Sequence, residues 1–174
     1  MSLHFRVIAV LVLAGVGAAW AGPSDRFTAN GFSVKRLKGY HAVEGPLVAD
    51  VLEQGGLMLA EAGGIVAATS VMIVPVASNP ADVSTRAACE TFARQLGQAQ
   101  RRELGAVSTP IYLKVTACEF ESTKTGSDIN QTNIIFSPRH TQYVVTCRYQ
   151  STRAKEALSH CRAFVASLEE GRAK

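Results

Sequence analysis

The residues with the most reactive potential in this chain are its four cysteines and the histidine beside one of them. Cys89, Cys118, Cys147 and Cys161 are the complete set, and His160 directly precedes Cys161. A cysteine nucleophile needs a base within hydrogen-bond reach and must stay reduced. Neighbouring residues on a helix project about 100° apart, so His160 is badly placed to serve Cys161 as that base. No Cys-x-x-Cys occurs, so dithiol redox chemistry of the thioredoxin kind has no support. An even count instead fits two disulfides, for which three connectivities exist. Cys89–Cys118 with Cys147–Cys161 is the preferred pairing, because each bond would tie a helix to a neighbouring strand. The other two connectivities stay open, since pairing depends on Cβ geometry rather than spacing.

Other constellations point to less. His41, His140 and His160 are far apart and lack HxxxH or HxxH spacing, so they read as solvated or hydrogen-bonded side chains and no metal site is expected. No GxSxG elbow is present, and Gly55-Gly56 and Gly63-Gly64 fit neither GxGxxG nor a Walker loop. Glu119 and Glu121 share one face of an expected strand and could be drawn as a carboxylate pair for glycoside chemistry. A solvated sheet face accounts for them as well. Arg94, Arg101 and Arg102 form a local basic cluster. Nucleic-acid binding wants a stronger stripe with stacking aromatics, so a solvated helix face is the reading taken. No cofactor is expected.

The context in which these residues work is set by the N-terminus. Met1–Ala21 has a basic Arg6, an apolar Val7–Ala18 and a small-x-small Ala19-Trp20-Ala21, the layout of a secretory signal peptide. The apolar run is too short and too rich in Ala and Gly for a membrane span. No cysteine stands at the cleavage junction, so no stable membrane anchor is expected after cleavage. Removal takes away a single charged residue from a chain of formal charge +4. The expectation is a signal peptide at 1–21, a flexible N-terminus at 22–30 and one domain at 31–170, in the periplasm or outside the cell, where disulfides persist.

The domain is organised around Thr141–Leu168. Tyr143, Val144, Val145, Cys147 and Tyr149 favour a strand. Ser151 is the expected N-cap. Ala154, Ala157, Leu158, Cys161, Phe164, Val165 and Leu168 then recur at helical spacing on one stripe, with Gly171 as the stop. Earlier, Phe32–Val34 reads as a short strand and Leu37–Tyr40 as a turn. Leu47–Glu53 is an apolar run or a short helical turn, and Leu57–Ala62 and Ser70–Val76 are strands. The paired glycines between these runs suggest hairpin turns. Pro75 marks an edge or a strand end. Asn79-Pro80 is expected to open a helix with Thr85, Ala88, Cys89, Phe92, Leu96 and Ala99 buried, closed by Gly105. Thr109–Phe120 follows as one long strand, Glu121–Gln131 as a polar connection, and Thr132–Phe136 as a strand. Short connections of this kind suit an α+β domain with a mostly antiparallel sheet flanked by helices.

GFSVKRLKGY at the opening, VMIVPV before Asn79-Pro80, the central strands and the strand–helix ending in FVASL resemble the Mog1/PsbP-like fold, which includes PsbP and DcrB-type periplasmic proteins. The resemblance covers residues 31–169. It implies an α/β/α sandwich, and a binding or assembly role without catalytic residues. The expected function is therefore a periplasmic, non-enzymatic module that binds another envelope or secreted protein. An envelope assembly factor and a toxin-neutralising immunity protein both fit. Contact would run through a sheet edge or through the polar connection, where Glu121, Lys124, Asp128, Asn130, Gln131 and Asn133 are the candidate surface. The alternative is a small-molecule-binding protein or hydrolytic enzyme whose site is built from scattered polar residues.

Overall fold

A computed structural model describes residues 25–62, 69–76 and 80–171. Met1–Ala21, Gly63-Gly64 and Asn79 lie outside them. The described strands are β1 (Arg26–Ala29), β2 (Phe32–Lys35), β3 (Tyr40–Ala42), β4 (Leu57–Glu61), β5 (Ser70–Val76), β6 (Glu103–Ser108), β7 (Ile111–Tyr112), β8 (Val115–Thr116), β9 (Cys118–Thr123), β10 (Ile129–Phe136), β11 (Gln142–Gln150) and β12 (Glu169–Glu170). The helices are α1 (Ala49–Glu53), α2 (Arg86–Gln100) and α3 (Ala154–Ala166). A seven-stranded sheet runs β3-β4-β5-β11-β10-β9-β6, with β1-β2-β12 and β7-β8 as smaller sheets. Every neighbouring pair is antiparallel. The α+β architecture read from the sequence is the one observed.

Alternation along β11 decides where the helices go. Tyr143, Val145, Cys147 and Tyr149 join the main core with Ala157, Cys161, Phe164 and Val165 of α3. Val144 points the other way, to a second cluster that holds Cys89 and Ala93 of α2 with Cys118, Phe120 and Ile135. Helices therefore cover both faces of the sheet, because each face presents an apolar cluster. The β1-β2-β12 sheet joins the α3 side, through Phe27, Phe32 and Val34. Pro75 sits where β5 has outrun β4: Tyr143 of β11 faces it, while β4 pairing stops at Ile73.

Several expectations give way to the observed elements. Arg26–Ala29, within the expected N-terminal segment 22–30, forms a strand paired with β2. Phe27 is buried in the main core, and Arg26 donates to Ser33 and to the Ser167 carbonyl. Helix α2 does not begin at Asn79-Pro80. The segment from Pro80 to Ser84 stays outside the helix: the Gln142 amide holds both the N–H and the carbonyl of Ala81, and Asp82 accepts from the Ser84 N–H in a local turn. Thr85 is the cap, accepting from the Ala88 N–H. The stripe that results is Cys89, Phe92, Ala93, Leu96 and Gly97, with Thr85 and Ala99 exposed. The helix ends at Arg101, in the left-handed conformation at φ 52, and not at Gly105, which lies in β6.

Gly55 at φ 72 closes α1 and leads into β4, so Gly55-Gly56 ends a helix instead of turning a hairpin. Thr109–Phe120 is broken. Pro110 supplies no N–H, Leu113 and Lys114 take positive φ (49 and 68) as the two turn residues of the β7–β8 hairpin, and Ala117 N–H donates to the Pro110 carbonyl. The α3 helix follows a 3-10 turn over Ser151–Arg153 with no side-chain cap; Ser151 Oγ donates to the Asp128 carbonyl instead. Ser167, not Gly171, ends α3. Gly171 N–H donates to the Gly31 carbonyl, next to the β12–β2 pairing.

Candidate functional site

The cysteines pair as Cys89–Cys118 and Cys147–Cys161, with Cα separations of 5.3 and 6.2 Å. The first ties α2 to β9 and the second ties α3 to β11. Cys161 has no thiol to offer as a nucleophile. His160 instead meets Tyr40: the Tyr40 hydroxyl lies 3.3 Å from Nδ1, with the rings edge-to-face at 5.5 Å. Burial, and then the charge of Glu61, push the Tyr40 phenol up to about 12. Among the described residues no group of three metal-ligating side chains converges.

Glu119 and Glu121 share a face, as the sequence implied, but do not form a free carboxylate pair. Glu119 is 5% exposed. It accepts from the Tyr112 hydroxyl at 2.7 Å and from Arg162 of α3. Burial and this hydrogen bond raise the Tyr112 phenol, while the Glu119 hydrogen bond raises the Arg162 guanidinium. A buried carboxylate that accepts at both oxygens braces β9, β7 and α3.

The expected partner loop is largely strand. Pairing of β9 with β10 runs from Cys118↔Ile135 to Thr123↔Asn130, leaving Lys124–Asp128 as the turn. Glu121 is half-buried on β9, and Asn130, Gln131 and Asn133 lie in β10, the last two buried. Lys124 and Asp128 alone of the six are exposed. The stretch is polar because its side chains bond one another, across strands from Thr123 to Asn130 and from Thr146 to Asn133, and along β10 from Gln131 to Asn133. Polar composition alone did not separate such a ladder from a loop.

Two other features face solvent. The β6 edge pairs with β9 on one side, and Leu104, Gly105 and Ala106 on it are exposed. A cleft of about 540 Å³ lies between the β7–β8 turn, the β10–β11 turn and β12. It is lined by Leu113, Lys114, Pro138, Arg139, Leu168, Glu169 and Glu170. Glu170 Oε1 is buried there without a hydrogen-bond partner.

This architecture has counterparts among solved structures. Cyanobacterial PsbP from Synechocystis sp. PCC 6803 aligns over 90% of this chain and 99% of its own, at TM-score 0.57 and 12% identity. The fold is that of the Mog1/PsbP group. The Ran-binding protein Mog1p of Saccharomyces cerevisiae matches over 81% of this chain and 90% of its own, at TM-score 0.50 and 9% identity. LpqN of Mycobacterium tuberculosis, involved in cell envelope biogenesis, matches over 86% of each chain at TM-score 0.50 and 7% identity. Against a Bacteroides thetaiotaomicron structure the chain spans 45% of that protein's length. No protein-family model and no curated protein matches the sequence. At these identities the Mog1/PsbP likeness is one of fold.

Proposed function

We propose that this protein is an exported, non-enzymatic accessory module that binds another envelope protein by taking one of its strands onto β6. The observation that carries the reading is the contrast between the two sheet edges. At one edge β3 has 3 residues; at the other β6 has 6. Folded proteins blunt an exposed edge with charge, proline or a bulge. The β6 edge has a register shift between Leu104 and Val107 but only Glu103 as charge, and Leu104-Gly105-Ala106 is exposed and uncharged. Added strands gain affinity from main-chain hydrogen bonds and specificity from alternate side chains.

Export is supported by the signal-peptide layout together with the two disulfides. The absence of a catalytic role is supported by Cys161 being oxidised and Glu119 being saturated by Arg162 and Tyr112. Mog1p, a Ran-binding protein, and LpqN, involved in envelope biogenesis, are the precedents in fold for a binding role in such a setting. A second reading, a pocket for a small molecule, is favoured by the buried and unpartnered Glu170 Oε1 in the 540 Å³ cleft.

The test places a photo-crosslinking residue at Leu104 in the native host, with Lys155 on the exposed face of α3 as control. The strand-addition reading expects one protein captured from position 104, and its loss when Ala106→Lys charges the edge. Equal capture from position 155, or capture that survives Ala106→Lys in a protein with both disulfides intact, rejects it.

A further inference from the structure

The basic residues at the end of α2 converge on a place of their own. Arg102 is pinned to the sheet, with Nε donating to Ser122 Oγ and Nη2 to the Ser122 carbonyl, each at 3.1 Å. Ser122, Gln131 and Arg148 stand side by side across β9, β10 and β11. Their side chains therefore share the sheet face that α2 covers. With strands about 4.8 Å apart, Arg148 lies roughly 10 Å from Ser122, within reach of guanidinium arms extended toward Gln131 from both ends. The Arg102 guanidinium is lowered, first by burial and then by the charge of Arg148, with no carboxylate contributing. Among the described residues, neither arginine is in an ion pair.

The two charged groups at this point are both donors. Guanidinium groups only donate. Further along the same face of β10, Asn133 is 1% exposed and accepts at Oδ1 from Gln131 Nε2 and Thr146 Oγ1. Its Nδ2 is buried without a hydrogen-bond partner. Two like charges kept together without a counter-charge, beside an unused buried donor, match an acceptor-only ligand of at least two negative charges.

We propose that Arg102 and Arg148 form a fork for a phosphate group, seated above Gln131. Ser122 holds one tine in place, and Arg148, exposed in the free protein, closes the other. The shared chemistry is a phosphate dianion or monoester, whether free in solution or carried by a lipid headgroup.

The experiment follows the arginine Nε–Hε resonances of the labelled exported chain during titration with inorganic phosphate at constant ionic strength. Arg102 and Arg148 are expected to shift together and saturate, while Arg94 on the outer face of α2 stays still. Arg148→Gln, at an exposed position, should weaken phosphate binding about tenfold or more, the size of one charge-assisted contact. A parallel arm sediments the protein with phosphatidylcholine vesicles, with and without phosphatidic acid. Binding to phosphatidic acid that Arg148→Gln abolishes, with no response to inorganic phosphate, would identify the headgroup as the source. The proposal is overturned if neither probe binds, if the shifts fail to saturate or spread to Arg94, or if binding is unchanged in Arg148→Gln.

Discussion

The two faces of the large sheet are built differently. On the α3 face, β4, β5, β10 and β11 present Leu57, Leu59, Val71, Ile73, Ile134, Phe136 and Val145 to one continuous core. Phe164 meets Tyr40 edge-to-face there at 5.1 Å, and Tyr143 meets Phe32 at 5.3 Å. The α2 face has a smaller cluster around Phe120 and Ile135, and beside it a polar row of Ser122, Gln131, Asn133 and Thr146. An apolar face contributes free energy in proportion to the area it removes from water. A polar face has to match each donor with an acceptor, and this one has a donor left over. The α3 face carries the larger apolar core, and the α2 face carries the polar row.

Removing one aromatic ring from each helix gives the largest contrast. Phe164 is fully buried, so Phe164→Ala should cost about 3–5 kcal/mol through lost transfer energy and the cavity left behind. Phe92 is half-buried and packs on Phe120 at 6.4 Å. Phe92→Ala should cost about 1–2 kcal/mol. Chemical denaturation of the two variants is the measurement; equal losses would mean that the faces contribute alike.

How much of this asymmetry could be read beforehand depends on the element. The α3 stripe from Ala157 to Leu168 and the strand before it were legible, because a burial period of 3.6 or 2 is written in the residues themselves. Placing each cysteine on such an element favoured the observed pairing but left two other connectivities open, because Cβ geometry decides between them. The start of α2 was not legible. Pro80 at a helix start is locally sensible, but Gln142, distant in sequence, bonds Ala81 through both its N–H and its carbonyl and holds it outside the helix. The β9–β10 ladder was missed for a related reason. Gln131 and Asn133 look like surface residues of a polar connection until the strands that flank them, and the Thr146 hydroxyl bonded to Asn133, are known. The β6 edge and the Arg102–Arg148 pair exist only through strand order, which no local pattern encodes.

The disulfides sharpen the comparison, since they staple opposite faces. Chain-entropy estimates rise slowly with loop length. The 14-residue separation of Cys147–Cys161 corresponds to about 3 kcal/mol, and the 29-residue separation of Cys89–Cys118 to about 3.5 kcal/mol. On that basis alone the α2 staple matters slightly more. Each pair replaced by alanines should lower the unfolding free energy by about 3 kcal/mol, with Cys89→Ala/Cys118→Ala the larger loss. If Cys147→Ala/Cys161→Ala proves the more damaging, packing in the main core outweighs loop closure, and the asymmetry of the faces is greater than the aromatic pair indicates.

Acid sensitivity gives the finest contrast. On the α3 face Glu61, at the end of β4, receives both arms of Arg153, at 2.5 and 2.9 Å. Its carboxyl is held below the ordinary value of 4.5, first by the Arg153 hydrogen bond, with the Arg153 charge, the Thr69 backbone N–H and His160 acting in the same direction against desolvation. The fold thus prefers the ionised carboxylate. That stability is fully present above the unfolded value and is lost as pH falls through the folded one. On the α2 side Asp82 is also held low, by the Ser84 backbone N–H and then the Ser84 hydroxyl, but within a local turn before the helix. Arg153→Gln should therefore flatten the fall in stability below about pH 4.5, and Asp82→Asn should change that limb less. The check is a series of denaturation curves between neutral pH and the acid limb. An acid limb that Arg153→Gln leaves as steep as before would show that acid acts elsewhere than at the β4–α3 junction, and a larger effect of Asp82→Asn would move it to the α2 side.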